Sequence, residues 1–94
     1  MLKIDTMPIL YFSQLDEDHF FAWAREIDCI KSVKGGYLHI ATDALNEENL
    51  RDLLALFGRY KLSGKALSSL CNEGNKHWFK NKDAYWYDNV FDEN

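Results

Sequence analysis

His19, His39 and His77 are the side chains of this chain best suited to hold a metal or carry a proton near neutral pH, and Cys29 and Cys71 are its thiols. A transition-metal site usually draws such groups from short repeated spacings, so that one helical turn or tight loop presents two ligands together. No two of these histidines stand in an HxxxH spacing, and neither cysteine belongs to a CxxC pair. We therefore expect no bound metal and no cofactor. His19, close to Asp16 and Asp18, and His39 read as solvent-facing residues. His77, beside Trp78, is the best functional candidate of the three. Both cysteines read as small hydrophobes in a reducing compartment rather than as a disulfide. A Gly-rich phosphate loop, a GxSxG elbow and a paired-carboxylate motif are all missing from the sequence. Gly35-Gly36 is accounted for by a turn, and Glu47-Glu48 by the start of a helix. A catalytic site would have to be assembled from residues distant in sequence, and the expectation leans towards binding rather than chemistry.

The last twenty or so residues are better suited to contact. Lys76, Lys80 and Lys82 are interleaved there with Trp78, Phe79, Tyr85, Trp86 and Tyr87. Aromatics beside cations form the anchors of protein interfaces and can also stack the bases of single strands. A helix turns 100° per residue, so Tyr85, Trp86 and Tyr87 cannot all face one core. The candidate contact residues are His77, Trp78, Lys80, Lys82, Tyr85 and Trp86, with Trp78 mainly core and Tyr85 or Trp86 exposed. The competing reading places these rings in a core with their polar tips wet.

Charge is banded. Residues 1–58 carry five Lys/Arg against ten Asp/Glu, residues 59–82 carry six against one, and residues 83–94 carry four acidic residues and no basic one. The acidic net charge of -4 opposes general nucleic-acid affinity. The basic band leaves a local site, with Arg59, Lys61 and Lys65, as the nucleic-acid alternative. Hydrophobic residues make up 47% of the chain, which excludes a disordered segment. The longest apolar runs fall well short of the ~20 residues that a transmembrane helix needs, and residues 1–5 do not form a signal-peptide pattern. The sequence reads as one domain over 1–94, soluble and cytoplasmic.

The elements that must position these side chains follow from periodicity. Pro8 to Ser13 predicts a strand, apolar on both faces. Phe20, Trp23, Ala24 and Ile27 predict a helix over about 16–27, capped by Ser13 or Asp16. Ile30 to Val33 and Tyr37 to Thr42 flank Lys34-Gly35-Gly36 and predict a hairpin. A two-residue Gly-Gly turn would set Lys31 opposite Ile40, whereas a three-residue loop pairs Ile30 with Ile40 and Val33 with Tyr37. The second keeps charge out of the core and is the expected register. Leu50, Leu53, Leu54 and Phe57 predict a second helix, started by Thr42, Asp43 or Asn46 and ended by Tyr60 or Lys61. Shorter helices follow at 63–71, near 75–79 and at 83–91, with a turn at 72–75. The order β-α-β-β-α-α-α predicts an α+β fold, a three-stranded antiparallel or mixed sheet with helices on one face and strand order 1-3-2.

Two resemblances attach to particular residues. Leu62, Ser63, Ala66, Leu67 and Leu70 resemble the turn and recognition helix of a helix-turn-helix, which implies a nucleic-acid-binding regulator. Phe57 stands where that family has a small residue and Lys61 where it has glycine, and two packed amphipathic helices account for the same pattern. The tail His77-Trp78-Phe79-Lys80-Asn81, followed by Ala84-Tyr85-Trp86-Tyr87 and Val90-Phe91, resembles small bacterial proteins carried as mobile integron gene cassettes. That resemblance implies a bacterial cytoplasmic origin and brings no functional residues. The expected role is that of an interaction or accessory protein, binding another protein, a second copy of itself as a homodimer, or both.

Overall fold

The computed structural model describes residues 1–43 and 45–92. The fold is α+β, with the elements β1 (Leu2–Asp5), α1 (Gln14–Glu26), β2 (Ile30–Lys34), β3 (Tyr37–Ile40), α2 (Glu47–Arg59), a 3-10 helix (Lys65–Leu70), α3 (Lys76–Phe79) and α4 (Tyr87–Phe91). They divide into two compact units, Met1–Leu62 and the chain from Ser63 onward. No helix among the described residues is long and apolar enough to cross a membrane.

The first unit is built on an antiparallel sheet of order β1-β3-β2. Its register starts at Gly35 and Gly36, whose φ angles of 59° and 85° are those of a two-residue turn that L side chains rarely adopt. Lys34 therefore pairs with Tyr37 and Val33 with Leu38, not Val33 with Tyr37 as the three-residue loop predicts. A bulge between Ile30 and Ser32 absorbs Lys31 and returns Ile30 to Ile40. The tight turn and the apolar pairing, which compete in a regular ladder, are reconciled by one extra residue.

β1 lies at 2–5 rather than 8–13. Leu2 and Ile4 alternate with Lys3 and Asp5, and they pair with Ile40 and Leu38 on the buried face. The ladder stops where Thr6 directs both its N–H and its hydroxyl to the Gly36 carbonyl, at 2.8 and 2.6 Å. The Met7 N–H then turns back to the Asp5 carboxylate, and the Ile9 N–H donates to the Thr6 carbonyl. The segment beyond turns at Met7–Pro8, bends at Phe12–Ser13 and joins no strand. Ile9 is buried and Tyr11 half-buried, while Leu10 and Phe12 point outward.

α1 is capped by Ser13, whose hydroxyl accepts the Asp16 N–H at 3.1 Å, while the Asp16 carboxylate accepts the Phe12 N–H at 3.0 Å. Its buried side chains, Phe20 and Ala24, lie four residues apart on one face. α1 packs along β2 and against α2. α2 is capped by Asn46, and Leu50, Leu53, Leu54 and Phe57 are all buried. Its end is a Schellman motif. The Leu62 N–H reaches the Phe57 carbonyl and the Lys61 N–H reaches the Gly58 carbonyl, with Lys61 left-handed at φ 54°.

The second unit is irregular. The stretch expected as a helix over 63–71 is a 3-10 helix at Lys65–Leu70, and the helix expected over 83–91 begins at Tyr87. The chain at Gly64 approaches α4 closely. Its N–H donates to the Asn89 side chain, and a Cβ there would stand 2.9 Å from Val90. Asn72 and Asn75 close the turn at 72–75 with side-chain hydrogen bonds to each other's backbone. Phe79 is fully buried and stacks edge-on against Phe91 at 4.9 Å.

The left-handed Lys61 carries a steric cost that glycine lacks. Lys61→Gly should stabilise the chain by about 1 kcal/mol, seen as a higher urea midpoint at unchanged slope. Lys61→Ala keeps the Cβ and should show no such gain.

Candidate functional site

The sequence-based contact residues all fall in the second unit, and burial sorts them. Trp86 is 8% exposed, and its indole N–H donates to the Phe79 carbonyl at 2.7 Å. That carbonyl belongs to the last residue of α3, where helical partners run out, so the ring serves as a structural cap. Trp78 is half-buried and meets Trp86 edge-on at 6.0 Å. Trp86 rather than Trp78 is thus the more deeply buried indole. Tyr85 is 68% exposed and rests on the Trp86 ring at 4.9 Å. His77, Lys80 and Lys82 are exposed. The Lys80 ammonium lies 5.7 Å from the Phe91 ring centroid. The tail thus offers the exposed Tyr85 ring and the half-buried rings of Trp78, Tyr87 and Phe91 among surface cations.

The residues of the nucleic-acid alternative are divided. Arg59 and Lys61 stand at the end of α2 in the first unit, and Lys65 begins the 3-10 helix of the second. The Lys65 ammonium donates to the Asp88 and Asp92 carbonyls. The residue standing where the helix-turn-helix has glycine does adopt the glycine conformation. A six-residue 3-10 helix follows it, however, in place of a recognition α-helix.

Most of the exposed large hydrophobic side chains among the described residues lie elsewhere, several of them in a segment that reads in sequence as a covered strand. Phe12 is 89% exposed and Leu10 74%, with Met7 and Leu15 nearby and similarly open. Pro8, Leu10, Phe12, Asp16, Trp23, Arg59, Tyr60 and Lys61 line a groove of about 360 Å³. Three parts of the first unit meet there: the irregular segment after β1, the first three turns of α1, and the cap of α2. An aromatic cluster underlies it. Tyr60 meets Phe20 edge-on at 4.9 Å and Trp23 at 6.4 Å, and Tyr11 contacts Phe20 and Tyr60 at 6.0 and 6.3 Å. Asp16 is held by the Phe12 N–H, while Arg59 and Lys61 form no ion pair among the described residues. The groove is apolar, with Arg59 and Lys61 on its rim and Asp16 as its one acidic lining residue among the described residues.

Groups of three or more His, Cys, Asp or Glu able to hold a metal are not found among the described residues. Cys29 is buried, Cys71 half-buried, and both are free thiols. Comparison with protein-family models, curated proteins and solved structures returns no match.

The groove residues that sequence reasoning missed had a signal. Ser13 and Asp16 mark a helix cap that begins immediately after Phe12, which shortens any strand, and Leu2 to Asp5 supplies the alternation a half-buried strand requires.

The aromatic cluster also sets an alkaline limit. Burial, followed by the nearby Glu17 carboxylate, pushes the Tyr11 phenol from its ordinary 10.0 to about 12. Burial and then Asp16 raise Tyr60 as well. Burial pushes the Cys29 thiol from 9.0 to about 11. Each group is held in its neutral form by folding. The stability so conferred is complete below the unfolded value and is lost as pH rises through the folded one. Unfolding free energy measured in urea should therefore fall from about pH 9 to about pH 12. The Tyr11 hydroxyl is buried without a hydrogen-bond partner among the described residues. Tyr11→Phe should be neutral to about 1 kcal/mol stabilising at pH 7 and should flatten the alkaline loss.

Proposed function

We propose that this chain acts by binding another protein through the groove of the first unit. The observation that carries this reading is the outward display of Leu10, Phe12 and Leu15. Leu10 and Phe12 line the groove together with Trp23 and Tyr60, next to a helix start held by the Ser13 and Asp16 side chains, and Leu15 is the exposed residue that follows in sequence. Exposed apolar surface grouped in this way usually marks an interaction site. Rigid aromatic walls reduce the ordering cost of binding. Arg59 and Lys61 on the rim select the partner chemistry: a peptide segment with one or two large apolar side chains flanked by Asp or Glu. The two free thiols suit a reducing cytoplasm, and an accessory role there is part of the proposal. Tyr85, exposed and edge-on to the Trp86 ring, forms a second and smaller contact candidate.

Peptides selected from a random display library against the full chain should carry an aromatic or Leu anchor next to acidic residues. They should bind Phe12→Ser or Leu10→Ser about tenfold or more weakly, with circular dichroism unchanged. Arg59→Glu should reverse the acidic preference. Peptides indifferent to these changes but lost with Tyr85→Ser would move the site to the tail. Sub-micromolar DNA binding at physiological salt, abolished by Arg59→Glu with Lys61→Glu, would replace the protein partner with a nucleic acid.

A further inference from the structure

The sheet of the first unit has two edges, and they differ. β2 is interrupted by the bulge at Lys31, which blunts an edge against further pairing. β1 is regular, and β3 is its one strand neighbour among the described residues. Antiparallel pairing alternates the residues whose backbone groups face the neighbour. The Thr6 N–H faces β3, donating to Gly36. By that parity Leu2 and Ile4 also turn their backbone groups towards β3, and Lys3 and Asp5 turn theirs to the open side. The edge closes at Met7, whose N–H is folded back onto Asp5.

We propose that a second copy of this chain pairs here, β1 antiparallel to β1, with the two Ile4 residues opposite each other on a twofold axis. This register sets Lys3 against Asp5 of the second copy, and Asp5 against Lys3 of the second copy. Both are the residues with outward backbone groups, so each pair exchanges two hydrogen bonds, four in all. Both also join opposite charges on the exposed face, and neither Lys3 nor Asp5 has an ion pair within its own chain among the described residues. The Ile4 pair falls at the closely spaced, non-hydrogen-bonded position on the buried face. Leu2, which is half-buried, meets Thr6 there. A register slipped by one residue sets Lys3 against Ile4 and brings inward-turned groups to the junction. The result is one six-stranded sheet, formed by a patch that is complementary to itself, as a twofold interface requires. This inference is separate from the groove.

Sedimentation of the full chain at high micromolar concentration and low salt tests it. The unaltered chain should be a dimer. Lys3→Asp sets like charges together twice, and so does Asp5→Lys, so each should weaken the dimer about tenfold or more. An equal mixture of the two should regain dimer mass, because the mixed pair has opposite charges at both positions. Lys3→Pro removes an outward N–H while leaving the hydrogen bonds to β3, and should give a monomer with unchanged circular dichroism. This variant keeps the test decisive if Asp5→Lys fails to fold. A monomeric unaltered chain, a dimer that survives Lys3→Pro, or folded charge variants that stay monomeric on mixing would overturn the proposal. A dimer lost with Phe12→Ser but kept with Lys3→Pro would place the second copy on the groove and would overturn β1 pairing equally.

Discussion

Two consecutive left-handed glycines, Gly35 and Gly36, set the geometry on which the first unit depends. They close β2 onto β3 in the fewest residues and fix which side chains of β3 face inward. Leu38 and Ile40 are then fully buried, and His39 and Tyr37 lie on the other face. The carbonyl of Gly36 does more than close the turn. It receives both donors of Thr6, and so fixes where β1 ends. Because β1 ends there, the chain leaves the sheet at Met7 and passes the aromatic cluster, to which it contributes Tyr11, with Leu10 and Phe12 outward. The groove is thus a distant result of a backbone conformation that side-chain-bearing residues adopt only with strain.

Much of this was legible in the sequence, for identifiable reasons. The repeat of Leu50, Leu53, Leu54 and Phe57 specifies α2 because a 3.6-residue period has one low-energy solution when one face must be buried. The α+β class and the strand order β1-β3-β2 follow from the hairpin and the handedness of the crossover. The first strand was misplaced because apolar content outweighed alternation. Residues 8–13 are more apolar than Leu2 to Asp5, yet only the latter alternate in the way a half-buried edge strand requires. The hairpin register was misread because sequence arguments treat turn and pairing as one choice, and the bulge at Lys31 separates them.

The second unit shows the limit of periodicity more sharply. Its segments are short, and a stretch such as Lys65–Leu70 satisfies helical spacing while adopting 3-10 geometry. Here the close approach of Gly64 to Asn89, far along the chain, and the hydrogen bond from Trp86 back to the Phe79 carbonyl organise the chain, and neither follows from a helical period. The expectation that Tyr85, Trp86 and Tyr87 could not share one core face rested on helix geometry. Tyr85 and Trp86 instead precede α4, which begins at Tyr87, and the turn there sends one ring in and its neighbour out. The candidate groove was illegible for a related reason. Its lining comes from three stretches, and only their packing shows that the apolar run is a displayed surface.

The placement of the indoles has an optical consequence. Trp23 stands in the first unit, at the edge of a phenolic cluster, and Trp78 and Trp86 stand in the second. Trp86 is buried with its N–H fixed on a carbonyl, a setting that shifts emission to the blue, whereas Trp78 retains contact with solvent. Trp78 and Trp86 lie within 6.0 Å of each other and share their excitation, so their emission reports on one local environment. Each unit of this chain therefore carries its own fluorophores, distinguishable by single Trp→Phe replacement, and the intensity from each reads the integrity of its surroundings without an added label.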